Sequence, residues 1–276
     1  MREEYLSRVP EWYRSFEKFD VVLSDDIDGI VSTSALKFAK NWNVEYFYDF
    51  SKLYVSGKTY FKENKSATRV WADVAITRRE MTFDNHISRK NLGDKLNDLC
   101  INPNVITNVT NENYYDKYCG SSALLIWSLY NIPLPETELG KMLLLAIDTT
   151  FKGFYGYNNF KERNRFYLCD VLGFEELYEV EKRHSREEFY DLIIKYNLGA
   201  KTTIDKDGYL HTDLDLDFIG KELGIELSIP TDKCFIEWRE LEEHKVNNFY
   251  GDVASIKRLI TLAYTGKNFV MYSTMA

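Results

Sequence analysis

Little in this chain suits it to cross a membrane or to be stapled together. Its four cysteines, Cys100, Cys119, Cys169 and Cys234, lie far apart and form no Cys-x-x-Cys pair. That spacing excludes a zinc ribbon and points to reduced structural thiols. No apolar run approaches the ~20 residues that a membrane-spanning helix needs, so a soluble protein with no membrane partner is expected. The opening Met1-Arg2-Glu3-Glu4-Tyr5 is charged and has no apolar core of the kind a secretion signal carries, and a cytoplasmic protein is therefore expected. Positive charge is also short: 35 Lys and Arg stand against 43 Asp and Glu, a formal net charge of −8. Non-specific affinity for a long duplex comes largely from phosphate neutralisation by Lys and Arg, so this balance argues against one. Short oligonucleotides, nucleotides or small phosphate esters are the better expectation. Internal repeats and low-complexity tracts are absent.

What the 276 residues do contain is alternation. In the first half, strand-like segments at 21–23, 44–48, 70–76 and 105–109 are separated by helix-like segments at 30–42 and 121–130, the second closed by Pro133 and Pro135. This pattern predicts an α/β fold with a mostly parallel sheet flanked by helices. Residues 138–147 read as a buried helix leading into Asp148. Longer helical stretches follow at 175–183 and 186–196, and a hairpin at 202–211 turns on Asp205-Lys206-Asp207-Gly208. A smaller unit is expected to begin near residue 200. The chain's last segment, Asn268-Phe269-Val270-Met271-Tyr272, reads as a strand in mid-sheet.

Chemistry concentrates at the ends of apolar segments. Asp26-Ile27-Asp28-Gly29 follows the strand-like Phe19-Asp20-Val21-Val22-Leu23, with a glycine that lets the chain turn into a helix. Asp73 lies inside Trp71-Ala72-Asp73-Val74-Ala75-Ile76, where a buried carboxylate must be paired, hydrogen-bonded or metal-bound, because an isolated one costs roughly several kcal/mol. Asp84-Asn85-His86 and Asp148 complete the set. Taken singly, each has a structural reading: Asp-x-Asp-Gly and Asp-Asn-His are turns, and Asp148 caps a helix. Together they predict carboxylates meeting at one edge of a parallel sheet, where open α/β sheets place their ligands. Carboxylates so gathered suit one or two divalent ions and a phosphoryl displacement.

Other polar features carry less. Asp205-Lys206-Asp207-Gly208 opens like a calcium loop, but its twelfth position is Leu216, where a bidentate Glu is needed. Asp213, Asp215 and Asp217 are assigned no chemistry. His184, His211 and His244 lack ligand-type neighbours at useful spacing.

In order and separation the four acidic clusters resemble the DHH phosphoesterase superfamily, which includes RecJ-type exonucleases and nanoRNases. The match covers roughly residues 19–150. The resemblance implies a catalytic-type domain at 1–160, a helical linker at 161–199 and a small α+β C-terminal domain at 200–276, which is expected to be either abbreviated or completed by a partner chain or homodimer. It implies two Mn²⁺ or Mg²⁺ ions, with Asp26 and Asp73 serving one and Asp28, Asp73 and Asp148 serving the other. It sets His86 against the substrate phosphate, with Asp84 beside it as the other catalytic residue. The chain departs from the pattern in three places. Ser24 stands where His or Asp is usual, Asn85 replaces a histidine ligand with a neutral amide, and no Gly-Gly-His segment follows. Ser24 keeps a minor expected role against substrate, and Asn85 is a weak ligand.

Three functions compete on this reading. One is a metal-dependent phosphodiesterase or exonuclease acting on a short single-stranded oligonucleotide or nucleotide-like ester. The second is a catalytically reduced relative that binds nucleic acid, nucleotide or a replication or repair partner. The third is a haloacid-dehalogenase-like phosphatase with Asp26 as nucleophile and Asp28 as acid. Against the third, Ile30 stands where Thr or Val is usual, and no paired acidic motif follows.

Overall fold

The computed structural model describes residues 1–61, 68–157, 159–249, 251 and 253–276. Its strands, in chain order, are β1 (Asp20–Ser24), β2 (Asn43–Tyr48), β3 (Lys52–Ser56), β4 (Arg69–Ala72), β5 (Met81–Phe83), β6 (Cys100–Ile101), β7 (Thr202–Ile204), β8 (Leu210–Thr212), β9 (Phe235–Asn247), β10 (Leu259–Gly266) and β11 (Phe269–Met275). Among the described residues nine of these form one sheet in the order β10-β11-β9-β3-β2-β1-β4-β5-β6, while β7 and β8 pair as the separate hairpin that the sequence predicts.

The α/β class holds, but the sheet is mixed rather than mostly parallel. Strands β2, β1, β4, β5 and β6 run parallel, whereas β3, β9, β11 and β10 pair antiparallel. Strand β9 hydrogen-bonds to β3, so the last forty residues continue the first sheet. The sheet then curls back on itself. Along the free edge of β10, Leu262 N donates to Ala75 O at 2.9 Å, Thr77 N to Ile260 O at 2.9 Å and Tyr264 N to Ile87 O at 2.7 Å.

Alternation along β1 explains the layering, because successive strand side chains point to opposite faces. Val21 and Leu23 enter the large core beneath the helices, and Val22 enters a second core with Tyr46, Tyr48, Trp71 and Leu241 inside the curl. All three are fully buried, each side chain contributing roughly 1.5–3 kcal/mol. The helices that matter below are α1 (Ile27–Lys40), α2 (Ser122–Leu129), α3 (Glu138–Ala146), α4 (Glu175–Arg183), α5 (Arg186–Lys195) and α6 (Leu216–Leu223).

Three local expectations are corrected. The strand expected at 105–109 is instead the short helix Pro103–Ile106: the Asn102 side chain accepts from Asn104 N at 2.8 Å and Pro103 occupies the first turn, a helix start rather than an extended run. The strand expected at 70–76 stops at Ala72, because Asp73 adopts a left-handed backbone, φ 60°. Helix α1 starts at Ile27 rather than at 30, since Asp26 caps it. No helix among the described residues is long and apolar enough to cross a membrane.

Candidate active site

The acidic clusters do meet, at the end of the sheet where β1, β4 and β5 stop. Beyond β1, the Asp26 carboxylate accepts from Gly29 N at 3.1 Å as the N-cap of α1. Asp28 therefore lies in the helix's first turn. Gly29 serves close packing there: a Cβ at that position would lie 2.1 Å from Ser24 Oγ and 2.7 Å from Ser24 O. Ser24 Oγ is buried and takes no hydrogen-bond partner among the described residues.

Asp28, only 2% exposed, faces the start of a second helix. Its Oδ2 accepts from Ser122 N at 2.7 Å, and its Oδ1 from Ala123 N at 2.8 Å and Ser32 Oγ at 3.2 Å. Both oxygens thus satisfy otherwise orphaned donors at the N-terminus of α2. Ser122 also reaches the second motif: its Oγ donates to Asp73 Oδ1 at 3.0 Å, tying Asp28 to Asp73 through one residue.

Beyond β5, fully buried Asp84 orients His86. Its Oδ1 accepts from His86 N at 3.2 Å and lies 2.7 Å from His86 Nδ1, while Asn102 Nδ2 donates to its Oδ2 at 2.9 Å. Between them, Asn85 donates its Nδ2 to Gly120 O at 3.0 Å and Asp148 Oδ2 at 2.7 Å; its buried Oδ1 has no partner among the described residues. Asp148 and Thr149 both hold left-handed backbones, φ 47° and 56°, directly after α3. Such conformations cost ~1–3 kcal/mol each in residues other than glycine.

Crowding sets the charges. Burial first, then Asp28, Asp26 and Asp148, push the Asp73 carboxyl well above its usual range. Asp28 is pushed up to about 7 by burial and by Asp148 and Asp26, against the pull of the α2 backbone donors. Asp148 opens onto the cleft, yet the protein packed round it raises it to about 6 while His86 draws it down. Burial works against a charged His86, but Asp84 and Asp148 outweigh it and the ring ends above its usual range.

Asn85, His86 and Asp148 form one wall of a cavity of about 520 Å³. Lys117, Lys152 and Arg186 at the start of α5 line the same cavity, as do Tyr155, Tyr157 and Phe160. Thr265, beside the β10–β11 turn, reaches the same space. Lys117, despite its burial, ends above its usual range through Cys119, Tyr114 and Asp148.

All the sequence-predicted residues, Ser24, Asp26, Asp28, Asp73, Asp84, Asn85, His86 and Asp148, therefore gather at this end of the fold. Sequence reasoning missed Ser122, Asn102 and the three cations. Asn102-Pro103 carried a readable capping signal, whereas Lys117, Lys152 and Arg186 are ordinary residues made notable only by long-range folding.

The donors fit a hard divalent ion in kind. Asp73 Oδ2, Asp148 Oδ1 and the orphaned Asn85 Oδ1 are oxygens that take no hydrogen bond from the described residues. They do not amount to a wholly acidic site, since no three His, Cys, Asp or Glu side chains among the described residues are grouped to hold a metal. No family model matches the chain, and neither does any curated protein or solved structure.

Proposed function

We propose that the chain is a divalent-cation-dependent phosphoesterase acting on nucleotide-type phosphate esters or short single-stranded oligonucleotides, in line with its resemblance to the DHH superfamily. The reading rests on one observation: buried carboxylates that raise one another's pKa adjoin a cleft that Lys117, Lys152 and Arg186 also line. Carboxylates so crowded are relieved by protons or by a cation. Asp73, Asp148 and Asn85 would hold a Mn²⁺ or Mg²⁺ ion, which supplies Lewis acidity toward a phosphoryl oxygen. Lys117, Lys152 and Arg186 neutralise the phosphate, and the tyrosines of the cavity pack the rest of the substrate. His86, held by Asp84 through Nδ1, keeps its other ring nitrogen for the cleft and donates a proton to the leaving oxygen. We infer a cytoplasmic setting.

Hydrolysis of bis-p-nitrophenyl phosphate and of a short oligonucleotide, with Mn²⁺ or Mg²⁺ added, tests the reading. Asp73→Ala is expected to abolish turnover, and unchanged turnover in that variant overturns the mechanism. A second reading, a binder without turnover, is favoured by Asp28, whose two oxygens are already taken by α2. Calorimetry separates the two: tight oligonucleotide binding with no hydrolysis in either metal selects the binder.

A further inference from the structure

Two carboxylates of the acidic end already face a cation. Lys201, which follows α5, lies with Nζ 2.8 Å from Asp25 Oδ1 and 3.5 Å from Asp26 Oδ2. Its placement is built into the backbone, since the adjacent Thr202 N donates to Asp25 O at 2.6 Å. About half of the Lys201 side chain is exposed, whereas Asp25 and Asp26 are 16% and 34% exposed, so the ammonium covers them from the solvent side. Asp26 also spends its other oxygen on Gly29 N. Asp28 is saturated by Ser122, Ala123 and Ser32. Asp73 Oδ2, Asp148 Oδ1 and Asn85 Oδ1, by contrast, take no hydrogen bond from the described residues.

We propose that Lys201 is an internal substitute for a second metal ion, so that this chain takes one divalent cation, at Asp73 and Asp148, and its ammonium excludes another from Asp26. The inference rests on the metal-dependent reading above, but it concerns the number of ions rather than the reaction. A divalent ion at Asp26 would meet the ammonium's positive charge at close range, and like charges a few ångströms apart repel. Lys201 is a positioning residue here; it is not among the described residues that line the cleft with His86.

Calorimetric titration of Mn²⁺ into the full chain, with and without Lys201→Met and Lys201→Arg, tests this. Wild type and Lys201→Arg are expected to bind one ion. Lys201→Met is expected to bind a second ion, or to bind the first at least about tenfold more tightly. Thermal melting of each variant checks folding, and restoration by arginine separates charge from packing. Two ions in wild type, or identical stoichiometry and affinity in wild type and Lys201→Met, overturns the inference. One ion in wild type and two in Lys201→Met, with no phosphoester turnover in either, sustains it while the hydrolytic reading falls. No Mn²⁺ in any of the three proteins overturns both.

Discussion

The two halves of the curled sheet are made differently and do different work. Strands β1, β4 and β5 are short, parallel and almost wholly buried, and the acidic cluster sits where they stop. Strands β9, β10 and β11 are longer and antiparallel, and β9 exposes much of its length to surface pairs such as Lys245 with Glu243 and Lys52 with Glu237. Parallel strands covered on both faces leave a charged residue at their ends nowhere to go but into the protein, so Asp28, Asp73 and Asp84 are enclosed together. In the antiparallel half, β9 offers many of its polar groups to water, while Thr261 and Ser273 of β10 and β11 are buried against each other. Its contribution to the site is a clamp: β10 hydrogen-bonds to residues 75, 77 and 87, fixing the segments that follow Asp73 and His86.

Changes in the parallel half should be costly and those in the antiparallel half should be mild. The largest effect after Asp73 is expected at His86. His86→Gln should lower turnover by about 10²–10⁴-fold. In wild type the acid function should fade as the pH rises through the His86 pKa, which lies above 6.5; a profile with no such alkaline limb contradicts the role.

Next comes stability against pH. Asp28 is raised from 3.8 to about 7 and Asp148 from 3.8 to about 6, so folding takes up protons between those values. Their stabilising protonation is complete near pH 3.8 and is lost as the pH rises through 6 to 7. Denaturant unfolding without added metal should therefore show a decline on the order of 3 kcal/mol over that window. Most of it belongs to enclosed Asp28, with the share of Asp148 reduced by solvent in the cleft. A flat profile breaks the claim that these acids are crowded.

The smallest effect is expected in the antiparallel half. Lys245→Ala, an exposed pair partner on β9, should leave turnover unchanged and stability within about 0.5 kcal/mol. A large loss there removes the contrast between the halves.

The sequence showed where the acidic side chains gather more clearly than how the sheet is joined. Asp26, Asp28, Asp84 and Asp148 were legible because each breaks an apolar run at an element's end, and burial of the run carries the acid inward. The left-handed turn at Asp73 was not legible, since a single residue leaves no period to read. Strand β9 was missed because its exposure does not alternate cleanly, and its pairing with β3 is a contact between residues nearly two hundred positions apart. Lys201 was invisible for the same reason: only the fold brings it to Asp25.

Thermal melting at pH 8 with and without Mn²⁺, on wild type and Asp73→Asn, tests the central claim most directly. If the crowded acids await a cation, Mn²⁺ raises the wild-type Tm by several degrees and leaves that of Asp73→Asn unmoved, while without metal the variant melts no lower than wild type. A Tm that Mn²⁺ leaves unchanged in wild type, or shifts equally in both proteins, contradicts the account.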